Sequence, residues 1–543
     1  MNTRKLAAIL SLALFLSMPV FADEGHDHGP HVGSVGSVKF PVSCSPAAQE
    51  TFSHAVALLH SFWYEEATKS FTAAAEKDPS CAMAWWGVGM SYYHQLWEPP
   101  TAEALQKGGA ALEKAKALDA KTARERGHIA ALSAFYGADP RLDYSSRNRA
   151  YSQVMETVYH NNPDDSEAAI FYALSLLSTA SPTDKTYSNQ RQAGAILEKI
   201  FAAQPNHPGV AHYIIHSYDN PVLASQGLNA ARSYAQIAPS VPHALHMPSH
   251  IFVRLGLWDE GIQSNLAAMQ AGKKYEQDSA MGAAWDQRLH PTDYLVYSYL
   301  QRGRDAEAKA VVAELAQIQK VQPDNLTGGY VLAAVPARYA MERHNWAEAA
   351  ALTARPSSFA FTEAITYWAR AMGAARTGNL AAAKENLDQL RSRRDALKAA
   401  KNIYWASQAE VLVRESSAWL THAQAKPGDD EGQTVAMLRS AADLEDSMDK
   451  NNITPGPVIP ARELLADFLL EMGHPADAAT EYAAELRTAP NRFNSLAGAA
   501  KAAEVAGDHA HAREYYAQLV QICAQADTPR PELAAARTYL AQR

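Results

Sequence analysis

Of the 20 histidines among the 543 residues, seven fall between positions 207 and 290, a modest enrichment. Spacing matters more than that count. His212 and His216 are four residues apart, as are His246 and His250, and the second pair repeats the first after 34 residues. Side chains at i and i+4 of a helix point the same way, so either pair can grip one ion, as in HExxH-type sites. His243 and His290 lie nearby, and Asp219 and Asp293 offer carboxylates as further ligands or as groups that orient a ring from behind. Imidazole with carboxylate suits Zn2+, Cu2+, Ni2+ or Fe2+; Ca2+ or Mg2+ would ask for more oxygens. The same residues also suit a polar, partly protonated patch for a peptide or an anion, or structural hydrogen bonding in a tight interior.

Other chemistries leave no trace. The chain has no HExxH, nucleophile elbow, phosphate loop or CxxC. No general base is named, and no catalytic residue is assigned. The first expectation is therefore a non-catalytic binding protein. The alternative is a metal-dependent enzyme of hydrolase or oxygenase type, with Asp219, Asp293 or Tyr297 beside the ion.

The elements that must position these residues are helical. Alanine and leucine recur at 3.6-residue spacing from about residue 44, with no convincing alternating strand run. At 47% hydrophobic and 20% charged, the chain can bury several domains or one long array. Residues 1–22 read as a signal peptide: Arg4 and Lys5, an apolar run, then Val20 and Ala22 before a cleavage point at Asp23. A periplasmic or secreted protein is expected, with no transmembrane segment in the mature chain. Cleavage would take the formal charge from −9 to −11 by removing Arg4 and Lys5, and such a chain without a basic stretch argues against nucleic acid as partner. Residues 23–40, with His26, His28 and His31 among glycines and serines, read as a flexible leader. Of three cysteines, Cys44 and Cys81 are the expected disulfide, because both just precede helices placed side by side, and Cys523 reads as a buried thiol.

The helices repeat. Ala67, Phe71, Ala74 and Pro79 are followed by Trp85, Gly89 and Tyr92, and Gly473 and Ala478 return 34 residues later as Gly507 and Ala512. This pattern resembles the tetratricopeptide repeat, over about two thirds of the mature chain. Several blocks, such as DPSCAMAWWG, are also similar to exported bacterial repeat proteins of unassigned activity. The resemblance implies an all-α solenoid, a right-handed superhelix of antiparallel helix pairs, in N-terminal (41–200), central (201–320) and C-terminal (321–543) repeats. One pair cannot cover its apolar face, so stacking is obligatory.

In the family, positions 2, 5, 9 and 12 of each first helix line the concave face. By that register His243, His246 and His250 take positions 2, 5 and 9; His212, His216 and Asp219 take 5, 9 and 12; and His290 and Asp293 take 2 and 5. Three neighbouring helices would then aim His and Asp into one stretch of a groove that holds a peptide, a protein partner or a divalent metal. Trp86, Tyr93 and His94 fall at positions 5, 12 and 13, where they would stack on a ligand ring or pack in the core. Pro248 resists this reading: the helix either starts there or kinks there.

Overall fold

Helix follows helix from Pro46–His60 to Pro531–Ala541. The computed structural model describes residues 33–137, 139, 141–426 and 431–542. The signal-like segment and His26, His28 and His31 lie outside them. The chain from residue 33 onward forms one unit, an all-α, tetratricopeptide-like solenoid. Consecutive helices pack in antiparallel pairs, such as Pro46–His60 with Tyr64–Lys77 and Ala360–Arg376 with Leu380–Ala399. Among the described residues the strands are a single parallel pair, Ala284–Trp285 with Val321–Gln322.

The turn inside several pairs requires a left-handed residue. Glycine supplies it at Gly256, Gly303, Gly378, Gly473 and Gly507, with φ of 65–82°. In the first pair a bulky residue takes the same kind of turn: Phe62, at φ 55°, joins Pro46–His60 to Tyr64–Lys77. Left-handed backbone costs an ordinary residue about 1–2 kcal/mol, so the buried ring must return at least that by packing.

Residues 33–40, expected as part of a flexible leader, are instead tied down. Ser37 N–H donates to the Asn206 carbonyl at 3.0 Å, Ser240 N–H donates to Ser34, and Val35 and Phe40 are buried. The sequence there offers only three apolar residues, Val35, Val38 and Phe40, amid glycine and serine, too few to show periodicity. Cys44 and Cys81 are joined in a disulfide with their Cα atoms 5.0 Å apart, and Cys523 is buried and free.

The solenoid is wound tightly enough for distant repeats to meet. Trp97 Nε1 donates to Asp286, and Trp258 Nε1 donates to the Asn491 carbonyl at 2.9 Å. Residues 447–460 run across the central repeats. Tyr294 Oη donates to the Thr454 carbonyl at 2.8 Å, and Arg338 donates to the Gly456 and Pro457 carbonyls. This segment covers the inner face where an open groove was expected.

Candidate metal centre

Three short helices and one long one carry the histidines. Pro208–Tyr218 begins on a proline, whose missing N–H costs nothing at a first turn, and the His207 ring accepts from the Val210 N–H. Pro248 resolves its own conflict: Pro242–His246 ends before it and Pro248–Arg254 starts on it, while Met247 between them keeps helical dihedrals. His246 and His250 therefore stay together across the break. Asp286–Gln301 supplies His290 and Asp293.

These elements gather six imidazoles into two neighbouring sets, His212 with His216 and His243, and His246 with His250 and His290. In each set one nitrogen from every ring lies within 4.8 Å of the others. Ring centroids across the sets are 5.9 Å apart for His216–His250, 6.0 Å for His243–His246 and 6.4 Å for His243–His290. Those separations are only slightly longer than the 4.3–5.7 Å inside the second set. His212, His243, His246, His250 and His290 are at most 2% exposed, and His216 is half-buried.

Hydrogen bookkeeping shows what the rings can do. A neutral imidazole has one N–H and one lone pair. His212 Nδ1 lies 2.6 Å from the His60 carbonyl, His246 Nδ1 2.6 Å from Asn265 Oδ1, and His250 Nδ1 2.8 Å from Asp219 Oδ2. The Asn265 amide is fixed in that sense because its Nδ2 donates to the Gly261 carbonyl at 2.7 Å. All three partners accept, so each Nδ1 carries the hydrogen and each Nε2 is a bare lone pair. Yet His246 Nε2 and His250 Nε2 are 3.1 Å apart. His212 Nε2 faces His216 Nε2 at 3.1 Å and His243 Nε2 at 3.2 Å, and there either neighbour can donate a hydrogen to it.

The His246 and His250 lone pairs repel at that distance unless a cation lies between them. A proton is a poor choice here, because burial lowers all six rings, His212 to about 3. A metal ion fits. With bonds of about 2.0–2.1 Å, two nitrogens this far apart subtend roughly 100° at the ion, close to tetrahedral.

The carboxylates do not join the rings directly. Asp219 orients His250 and is gripped by Lys450 Nζ at 2.7 Å and Arg254 Nε at 3.0 Å. Burial alone would raise its carboxyl, but Lys450, Arg254 and His250 outweigh it and hold it well below the usual range. Asp293 is turned away and accepts from Arg338 Nε at 2.9 Å and Nη2 at 3.1 Å, with both side chains fully buried. Its place on the inward face was legible; the arginine 45 residues later that claims it was not.

Aromatic rings seal the centre. Phe62, the left-handed turn residue, lies 4.4 Å from His212, 5.6 Å from His243 and 5.8 Å from His216 between ring centroids. Trp97 sets its ring against both sets, 5.2 Å from His243 and 5.3 Å from His290. A bulky residue at a turn where other repeats use glycine was the one sequence signal for Phe62. Asn265 and Lys450 carried none.

Trp86 and Tyr93, expected to line a groove or pack in the core, are fully buried. Trp86 packs among Phe40, Phe52 and Phe171, and Tyr93 against Phe135 and Tyr151. His94 stacks on Tyr64 at 4.3 Å, and burial lowers it to about 4. A cavity of about 410 Å³ borders Arg254 and Lys450 and is walled by Tyr330, Trp368 and Trp405. The histidines do not line it; Asp219 stands between, bonded to both cations and to His250.

A third cluster, His60, Glu167 and His207, went unremarked in the sequence. Glu167 accepts from His60 Nε2 at 2.9 Å and from His207 Nε2 at 2.8 Å. His60 Nδ1 meets Tyr213 Oη at 2.9 Å.

No family model matches the chain, and no curated protein does. Among solved structures it is similar to the human IFIT1 dimer with PPP-AAAA, at 13% identity over 88% of this chain and 91% of that one, with a TM-score of 0.35. It is similar to the human IFIT1 dimer with m7Gppp-AAAA at 12% identity over 90% and 92%, with a TM-score of 0.37. It is similar also to Naa15/Naa10 bound to HypK-THB, at 13% identity over 90% of this chain and 64% of that one, with a TM-score of 0.22.

Proposed function

We propose that this protein binds two transition-metal ions in a buried centre of six histidines, one ion in each set. The observation that carries this reading is the His246–His250 contact. Two lone pairs face each other at 3.1 Å while both Nδ1 hydrogens are committed elsewhere. Imidazole-only ligation suits copper or zinc better than harder ions. The signal-like first 22 residues support a periplasmic or secreted protein, and the Cys44–Cys81 bridge agrees with an oxidising compartment. A peptide laid against these histidines would first have to displace residues 447–460, which favours an ion over a peptide as the occupant.

Elemental analysis of the purified chain, before and after loading with copper(I), copper(II) or zinc, tests this. Two ions per chain are expected, one in His212→Ala or His246→Ala, and none in the double variant, with helical content checked by circular dichroism. A folded wild-type chain that takes up no metal under any of these conditions would end the proposal.

A further inference from the structure

The two sets have a composition that constrains what the ions do. Neither contains a carboxylate, and the charged groups gathered behind His250, Asp219 with Lys450 and Arg254, already sum to one positive charge in a buried setting. Two dications added to that charge would find no carboxylate among their own ligands, a heavy electrostatic cost in low dielectric. Two monovalent ions halve the added charge. Among the metals that imidazole favours, copper offers that state. The higher state becomes tolerable when an anion arrives between the ions at the moment of oxidation.

Access narrows the choice of that ligand. Five of the six rings are at most 2% exposed, Phe62 and Trp97 close the centre, and residues 447–460 cover the inner face. A bulky ligand would have to displace Phe62, Trp97 or residues 447–460. A small neutral molecule that becomes an anion only on accepting electrons meets both conditions.

From this we infer that the centre, with two copper(I) ions in place, binds dioxygen between its two histidine sets and reduces it to peroxide. The inference rests on the two-ion reading above. Each copper(I) gives up one electron and becomes copper(II). Dioxygen would accept both electrons, and its O–O bond order would fall from two to one as it became a peroxide dianion held by the two histidine sets' ions. No proton is consumed, and removal of dioxygen reverses the step.

The test is anaerobic loading of the full chain with a copper(I) salt, followed by admission of dioxygen. Uptake of one dioxygen per two copper ions is expected, with a new intense near-ultraviolet band that fades under vacuum. The oxygenated centre should be silent in electron paramagnetic resonance, because two bridged copper(II) ions pair their spins. His290→Ala, which weakens one set, should hold about half the copper, develop no such band, and give an ordinary copper(II) resonance on oxidation. If the wild-type chain holds two copper ions but takes up no dioxygen, or shows the resonance of two isolated copper(II) ions, the inference is overturned and the two-ion reading stands. If it holds no copper, the inference falls, and the two-ion reading falls with it only where zinc is not taken up either.

Discussion

The six-histidine centre and the His60–Glu167–His207 cluster are built from nearly the same parts in the same unit, and both are buried. Their hydrogen accounts differ. In the triad Glu167 takes a hydrogen from each ring, His207 Nδ1 accepts from the Val210 N–H, and His60 Nδ1 has the Tyr213 hydroxyl, so every ring nitrogen has a partner of the right kind. In the centre, acceptors claim Nδ1 of His212, His246 and His250, and the Nε2 atoms are left facing one another. Gathering histidines is thus not what makes a metal site. A deficit of hydrogens that only a cation can fill is what separates the two. The triad serves the centre indirectly, since the His60 whose ring it fixes also lends its carbonyl to His212.

That contrast can be broken or sharpened by variants, taken in order of their effect on the ions. Asp219→Ala should do most. It frees the His250 ring and leaves the Lys450 and Arg254 charges buried without their carboxylate. A loss of about 3–5 kcal/mol in urea unfolding of the apo chain is expected, with one of the two ions lost in elemental analysis. Asn265→Leu removes only the acceptor behind His246, so the ion of that set should bind about 10–100-fold more weakly; competition with a graded chelator series would read this, the other set being unaffected. Glu167→Gln should cost about 1–3 kcal/mol of folding stability through its buried hydrogen bonds and leave both ions in place. Loss of an ion there would erase the distinction between the clusters.

A fourth prediction concerns two buried carboxyls rather than the ions. Asp219 stays ionised among its cations, whereas burial, with Glu65 nearby, pushes Asp286 up to about 8. An unfolded aspartate titrates near pH 3.9. Between about pH 4 and pH 8 the unfolded chain therefore releases a proton that folded Asp286 keeps, and stability falls as pH rises through that window. Asp286→Asn, which mimics the protonated form, should flatten the slope between pH 5 and pH 8 in chemical denaturation. An unchanged slope would assign it to other groups.

Much of this architecture was legible before any coordinates. The helical period and the 34-residue step gave the solenoid, and His212/His216 with His246/His250 were found as repeated pairs. The partition of the rings was not. His243 lies three residues before His246 in the same short helix yet joins His212, while His246 pairs with His250 across the Pro248 break. Nor could the period reveal that Phe62, Trp97 and Lys450, each more than 100 residues from some of the rings they meet or steady, close over the centre. Such meetings depend on the small rotation accumulated from repeat to repeat, which local patterns do not encode.

The strap at 447–460 has a kinetic corollary. Whatever occupies the histidines can leave no faster than that strap lifts, since Lys450, Tyr294 and Arg338 hold it down along its length. Stripping by an external chelator should then follow a single rate that stays the same as the chelator is raised, and cutting the tie with Lys450→Ala should quicken it. A cargo held this way is kept by a latch as much as by its affinity.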